Sequence, residues 1–249
     1  MSKKLKEISR LFITPFRVGV LLFSFAFLPG KQHTITLQFN HIVGSQSLQL
    51  FDTEYSNSFG EVFVVNKFKY YVSNITIIDG KGQAFPIADS YFLIDEADSL
   101  SKSIKIQTPV NNITAIEFLV GVDSLKNVSG VQTGVLDPMN GMFWTWSTGY
   151  VYAKLEGRAP ISKAPSHYYS YHVGGYKPGE NALRKIKLSL PAGIVKNISN
   201  ITITTDILKW FQSVENIKIA ETPLCHEPGN LASRLANNYA TMFSIQAVQ

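Results

Sequence analysis

The sequence has one cysteine, Cys225, among its 249 residues. An intramolecular disulfide is therefore impossible, and so is a structural zinc site built on paired cysteines. Cys225 also lies far from the N-terminus, which excludes an acylated N-terminal cysteine as a membrane anchor.

Recognisable catalytic motifs are missing as well. Serines are plentiful, but no Gly-x-Ser-x-Gly elbow occurs, and Cys225 followed by His226 lacks the context of a cysteine nucleophile. The five histidines show neither the i, i+4 helical pair nor the Cys/His spacing of zinc sites. We therefore expect a protein that is not an enzyme.

Long apolar runs are also scarce. The uncharged run from Val18 to Leu28 is short for a membrane span and follows a basic stretch, which is typical of an export signal. We predict a signal peptide over residues 1–30, cleaved near Gly30, and a single domain over residues 31–249. The mature protein would be periplasmic, secreted or on the cell surface, with no stable membrane span. A retained N-terminal anchor is the alternative.

Positive charge is sparse outside this leader. The leader holds five basic residues and one acidic residue, so it contributes +4 of the net charge of +5 and leaves +1 for the rest. The basic residues Arg184, Lys185 and Lys187 alternate with apolar residues, as on a solvated strand face. Nucleic acid is therefore not an expected partner, because its binding needs a basic patch on the folded domain.

Short runs rich in β-branched and aromatic residues recur along the mature chain, and turn residues separate them. The predicted strands are Ile35 to Phe39, Val62 to Ile78, Tyr91 to Ile94, Ser103 to Gln107, Ile113 to Val122, Phe143 to Leu155, Tyr168 to Val173, Arg184 to Leu190 and Ile198 to Asp206. Many short strands with little helical periodicity predict an all-β fold, an antiparallel β-sandwich with a short C-terminal helix.

Two short helices are predicted. Asp206 could cap a helix from Ile207 to Phe211, and Pro228-Gly229 precedes a helical pattern from Asn230 to Met242. Residues from Tyr239 to Ile245 would pack the end of the second helix onto the sandwich.

The stretch from Met139 to Gly157 holds two of the three tryptophans. Along an extended strand Trp144 and Trp146 share one side, and the pattern reverses after Gly149. The predicted inward residues are Val151, Ala153 and Leu155, and the predicted polar face comprises Tyr150, Tyr152, Lys154 and Glu156. In strict register the tryptophans fall on the polar face, unless a bulge or glycine kink at 147–149 flips the phase. They are therefore either core residues on a kinked strand or an outward aromatic pair.

The segment Asp137 to Val151, Asp-Pro-Met-Asn-Gly-Met-Phe-Trp-Thr-Trp-Ser-Thr-Gly-Tyr-Val, resembles the signature of the MbnP-like copper-binding family of exported bacterial proteins. Further segments resemble family segments in the same order: Phe39 to Gly44, Tyr70 to Ile75, Phe118 to Asp123, Tyr171 to Gly175, and the tail from Pro223 to Ile245. The resemblance covers nearly the whole mature chain.

The resemblance implies copper as the cofactor and a role in Cu(I) acquisition, storage or delivery. It assigns His41, His172 and His226 as candidate ligands, whereas His33 and His167 match no family segment. In the family the copper site includes a tryptophan oxidised to kynurenine by a partner di-haem enzyme of the cytochrome c peroxidase type. The candidates for that modification are Trp144 and Trp146, although neither has a histidine beside it in sequence; Trp210 is interpreted as core.

A second interpretation needs no metal. Trp144, Trp146 and Tyr150 could form a stacking surface, which would make the chain a non-catalytic adhesion or carbohydrate-binding module.

Overall fold

The computed structural model describes residues 32–130, 132–145, 148–191 and 197–249. The strands in these residues are β1 (His33–Val43), β2 (Gln46–Ser47), β3 (Tyr55–Ser56), β4 (Val62–Asp79), β5 (Ala84–Pro86), β6 (Tyr91–Asp95), β7 (Ser103–Thr108), β8 (Ile113–Val120), β9 (Phe143–Thr145), β10 (Gly149–Arg158), β11 (Tyr168–Gly174), β12 (Arg184–Ser189), β13 (Asn200–Asp206), β14 (Leu224–Cys225) and β15 (Phe243–Val248). The helices are α1 (Ser124–Val128) and α2 (Asn230–Tyr239), with 3₁₀ turns at Gly134–Leu136, Pro138–Asn140, Pro165–His167 and Ile207–Trp210.

The strands form two sheets. The smaller has the order β15-β13-β1-β2, and β7 also pairs with β1. The larger has the order β12-β8-β4-β10-β11-β14, with β3, β5 and β6 on β4 and with β9 on β10. Most pairings are antiparallel, but β1 with β13 and β11 with β14 are parallel. The predicted all-β sandwich with a short C-terminal helix is confirmed.

The core lies between the sheets because each strand alternates apolar and polar residues. On β1, Ile35, Leu37 and Phe39 are buried at every second position. The Phe39 ring packs edge-on against two rings of the larger sheet, Tyr70 of β4 at 6.1 Å and Phe118 of β8 at 6.3 Å. Edge-to-face packing of this kind joins the two sheets across the interior.

The stretch interpreted as one strand from Phe143 to Leu155 is a hairpin. β9 turns back on β10, with Thr145 opposite Gly149 and Phe143 opposite Tyr150. Gly149 has φ +78°, which suits glycine, and a Cβ there would strike the Asn127 side chain. The sequence predicted that a break near Gly149 could change which face the side chains occupy. In the structure, the chain instead reverses direction there.

Val151, Ala153 and Leu155 are buried as predicted, but the opposite face of β10 is not solvated. Tyr150 and Tyr152 are fully buried there, and Lys154 is only 8% exposed. Residues 124–130 and 132–145, hereafter the covering segment, lie over this outer face of the larger sheet. Alternation along β10 could not reveal that cover, because it comes from a part of the chain with little regular structure.

Three side chains on the outer face donate hydrogen bonds to main-chain carbonyls of the covering segment. Tyr71 bonds the Val135 carbonyl at 3.0 Å, and Tyr150 bonds the Leu136 carbonyl at 2.7 Å. Lys154 Nζ bonds the Gly141 carbonyl at 2.6 Å. These bonds satisfy backbone groups in a region without a strand ladder.

The helix α2 follows Gly229, as predicted, but it ends at Tyr239 and is not the last element. The chain continues into β15, which pairs with β13 in the smaller sheet. The other predicted helix is a 3₁₀ turn, with the Asp206 side chain accepting from the Leu208 amide at 3.0 Å. No helix in the described residues is long and apolar enough to cross a membrane.

Candidate functional site

Three neighbouring strands place a polar cluster on the outer face of the larger sheet. On β11, Tyr171 and Val173 point into the core, so Ser170 and His172 point outward. Lys154 of β10 lies directly opposite His172. Paired residues of neighbouring strands point to the same face, so Lys154 and His172 are side by side.

His226 reaches the same cluster through β14. This two-residue strand runs parallel to β11, with Cys225 beside Tyr171, and His226 follows it directly. The His226 and His172 rings lie with centroids 4.7 Å apart and planes tilted by 40°. Both Nε2 atoms approach the Ser170 hydroxyl, His226 at 2.9 Å and His172 at 3.2 Å. Two predicted ligand candidates from separate segments therefore come together.

Glu156 completes the cluster. Its Oε1 lies 2.7 Å from His172 Nε2, and its Oε2 lies 3.2 Å from Lys67 Nζ. The hydrogen bond with His172 and the charge of Lys67 hold the pKa of the Glu156 carboxyl at about 2 despite its partial burial. The carboxylate is therefore ionised throughout the neutral range and can support an imidazole or a cation beside it.

Lys154 brings positive charge to the same place. Its Nζ is 3.9 Å from Glu156 Oε1, and only 10% of its side chain is exposed. Burial lowers the pKa of Lys154, and Glu156 opposes that effect. The pKa of His226 is lowered by burial first, then by the neighbouring His172, with Lys154 contributing in the same direction and Glu156 in the opposite one. A neutral imidazole, the form that binds metals, is favoured.

Trp144 lies over the same face. Its ring atoms Cζ3 and Cη2 lie 2.9 and 3.2 Å from the position that a Cβ on Gly174 would occupy. Gly174 is two residues beyond His172 on β11 and so belongs to the same side of the sheet. Trp144 is half-buried against the core. Trp146 lies outside the described residues.

The remaining tryptophan and Tyr150 are core residues. Trp210 is fully buried and stacks on Tyr171, with ring centroids 6.5 Å apart. Tyr150 is fully buried and packs against Phe143 at 4.9 Å. Tyr150 therefore cannot contribute to a stacking surface for a carbohydrate.

His41 occupies a different environment. It occupies one of the alternate, buried positions of β1 and is 5% exposed. Its Nδ1 lies 2.7 Å from Glu96 Oε2, and its Nε2 lies 3.0 Å from the Tyr70 hydroxyl, which is 3.3 Å from Thr205 Oγ1. Both ring nitrogens already have protein partners, so the predicted ligand role of His41 would require one of these two bonds to break.

Other candidate donors do not join the pair. Burial raises the pKa of the Cys225 thiol to about 11, which keeps it protonated at neutral pH and unsuited to binding metal. His167 is exposed and bonds within its own loop, to the Ser162 carbonyl at 3.0 Å. Within the described residues, no three His, Cys, Asp or Glu side chains are arranged to hold a metal together.

The donors that fit a metal are therefore two imidazoles, with the Glu156 carboxylate already hydrogen-bonded to one of them. A pocket of about 260 Å³ is lined by Thr148, Gly175, Glu180 and Glu227 among others. Two of these residues, Gly175 and Glu227, directly follow Gly174 and His226 in the sequence. Lys154, Glu156 and Ser170 were not among the predicted site residues. All three residues occupy outward-facing positions of β10 and β11, and His172 lies two residues after Ser170 on the same face. This alternation is the signal that could have identified them.

Comparison with known proteins agrees with this architecture. A search of the solved structures finds MbnP from Methylosinus trichosporium, with a TM-score of 0.56, 15% identity, and coverage of 81% of this chain and 83% of that chain. At this identity the likeness supports the fold alone. No curated protein matches the sequence. The MbnP family model matches residues 32–227, which is most of the chain, and the protein therefore belongs to the MbnP family.

Proposed function

We propose that this protein is an exported copper-binding protein that holds Cu(I) between His172 and His226 for acquisition, storage or delivery. The observation that carries the proposal is the convergence of these two imidazoles, 4.7 Å apart, from separate segments of the chain. Imidazole suits copper in either oxidation state. The family and the basic leader support the copper and export components of the proposal, respectively.

Two uncharged donors suit a monovalent ion that accepts few ligands. In the proposed site, the metal would replace the contacts of both Nε2 atoms with Ser170 and the contact of His172 Nε2 with Glu156. The Glu156 carboxylate would remain next to the site through its ion pair with Lys67. His41 would keep its structural bonds and take no part.

Trp144 belongs to the proposal as the residue open to modification. It is half-buried, lies on the face that carries His172, and touches Gly174. A di-haem cytochrome c peroxidase-like partner, with peroxide as the oxidant, would oxidise this indole to N-formylkynurenine, and hydrolysis would release its C2 carbon as formate. The kynurenine that results would present an aromatic amine and a ketone beside the histidine pair. Trp146 is the alternative within the same motif.

Metal analysis of the protein purified from a copper-supplemented periplasm tests this function. We expect about one copper per chain in the parent and much less in the His172→Ala/His226→Ala variant, because an ion that loses both imidazoles has no comparable donors nearby. A matched variant, His33→Ala/His167→Ala, should retain the copper. A parent that emerges metal-free, or that holds as much zinc as copper, would contradict the proposal.

A further inference from the structure

A lysine is buried against the proposed copper ligands. Lys154 lies directly opposite His172 on the neighbouring strand, and its side chain is 10% exposed. Lysines are rarely buried to this degree, because removing an ammonium from water is costly. The covering segment holds it there through the 2.6 Å bond to the Gly141 carbonyl.

The ammonium acts on the histidines at short range. The same Glu156 oxygen lies 3.9 Å from Lys154 Nζ and 2.7 Å from His172 Nε2, so those two nitrogens are no further apart than the sum of these distances. The His226 ring lies next to the His172 ring, with centroids 4.7 Å apart. The charge of Lys154 therefore reaches both imidazoles of the pair.

Nearby carboxylates do not cancel this positive charge. Glu156 is shared between Lys67 and Lys154, at 3.2 and 3.9 Å. Lys69, which is opposite Lys154 on β4, is paired with Asp95 at 2.8 Å. On β4, β6 and β10, three ammonium groups therefore face two carboxylates, whereas Glu180 and Glu227 lie with Lys177 around the adjacent pocket.

We propose that Lys154 is a specificity-determining residue that disfavours divalent ions at the His172–His226 pair and so favours Cu(I). This inference rests on the proposed function. Repulsion between Lys154 and a bound ion is proportional to the charge of the ion, so a dication is opposed twice as strongly as a monocation. Imidazoles alone would not reject Zn(II), which binds them well.

The test compares Cu(I) and Zn(II) affinities of the full mature protein, each by competition with a chromophoric chelator at low ionic strength. We expect Lys154→Met to raise the ratio of Zn(II) affinity to Cu(I) affinity by about three- to tenfold, as one unit charge a few ångströms away in a partly hydrated site requires. Lys154→Gln, which removes the charge but keeps a donor for the Gly141 carbonyl, should raise it similarly. Two controls should leave the ratio unchanged: Lys154→Arg, and Lys187→Met on the exposed side of β12.

A merely structural lysine would give a different result. If Lys154 only ties down the covering segment, Lys154→Met would weaken Cu(I) and Zn(II) binding together and leave the ratio unchanged, which would overturn this inference while copper binding by the parent stands. If Lys154→Met does not fold, the Gln and Arg variants still decide between the two readings. A parent that binds neither ion at the histidine pair would overturn both this inference and the proposed function.

Discussion

The His172 and His226 rings lie 4.7 Å apart because β14, only two residues long, runs parallel to the edge of β11. His172 lies on β11 itself, and His226 is the residue that directly follows β14. Their Nε2 atoms meet at the Ser170 hydroxyl. This arrangement, rather than any single histidine, makes the outer face of the larger sheet the candidate site.

Acid should destabilise the fold through His41. Burial lowers the pKa of His41 below its usual 6.5, against the effect of Glu96. The unfolded chain therefore takes up a proton that the native state refuses, so stability is full above about pH 6.5 and falls as the pH drops below it. We expect a loss of up to about 1 kcal/mol between pH 6.5 and 5.5, measured by urea unfolding at each pH.

The contribution of His41 can be separated from the other groups. His41→Gln keeps a donor and an acceptor in the pocket but cannot titrate, so its stability should change less over this range than that of the parent. The pKa of Glu96 is lowered from 4.5, and its stabilising contribution is lost only below that pH. The exposed His167→Gln is the control. An equal pH dependence in the parent and His41→Gln would refute this assignment.

A methyl group at Gly174 should disturb both the sheet and Trp144. A Cβ there would lie 2.3 Å from the Tyr150 carbonyl oxygen and 2.9 Å from Trp144 Cζ3. We expect Gly174→Ala to cost about 1 to 3 kcal/mol and to shift the near-ultraviolet circular dichroism of Trp144. Gly60→Ala, where the Cβ would meet nothing within 4 Å but φ is +75°, should cost about 1 kcal/mol and leave that signal unchanged. Identical spectra for the two variants would mean that Trp144 does not lie over Gly174.

Two buried tyrosines should respond differently to loss of the hydroxyl. The Tyr70 hydroxyl bonds His41 and Thr205, whereas the Tyr171 hydroxyl has no hydrogen-bond partner among the described residues. Tyr70→Phe should lower the free energy of unfolding by about 1 to 3 kcal/mol, and Tyr171→Phe should leave it unchanged or raise it by about 1 kcal/mol. Chemical denaturation compares them directly, since both side chains are fully buried and lose the same atom. A larger loss for Tyr171→Phe would contradict this account.

Oxidation of tryptophan should be confined to Trp144 or Trp146, in the segment from Asp137 to Val151. Trp210 is fully buried, whereas Trp144 is half-buried beside the candidate site. After co-expression with a di-haem peroxidase-like partner, peptide mass mapping should find Trp144 or Trp146 modified and Trp210 intact. Replacing the modified residue by Phe should weaken Cu(I) binding and cost only about 1 to 3 kcal/mol of stability. Unmodified tryptophans together with parent-like copper binding in the Phe variants would remove kynurenine from the proposal.

Strand alternation predicted much of the fold. It placed Ile35 to Phe39 and the inward residues of β10 correctly, because period-two burial is local information. The same alternation puts His41 at a buried position of β1. Its hydrogen bonds with Glu96 and Tyr70 require this inward orientation. The signal for that role was present in the sequence, although resemblance favoured a ligand.

The candidate site depended on contacts that no local pattern contains. Convergence of His172 and His226 needs the parallel pairing of β11 with β14, and two-residue strands leave almost no signal. Burial of Lys154 needs the covering segment, whose carbonyls accept bonds from the sheet below. Burial of a lysine in particular results from tertiary packing, since alternation places Lys154 on a polar face.

A Cu(I) competition titration of four proteins tests the central claim most directly: the parent, His172→Ala, His226→Ala and His41→Gln. We predict that the parent and His41→Gln bind Cu(I) equally, while each alanine variant loses at least about tenfold in affinity, because each removes one of two imidazole donors. Parent-like affinity in both alanine variants, or a selective loss in His41→Gln, would show that the histidine pair is not the copper site.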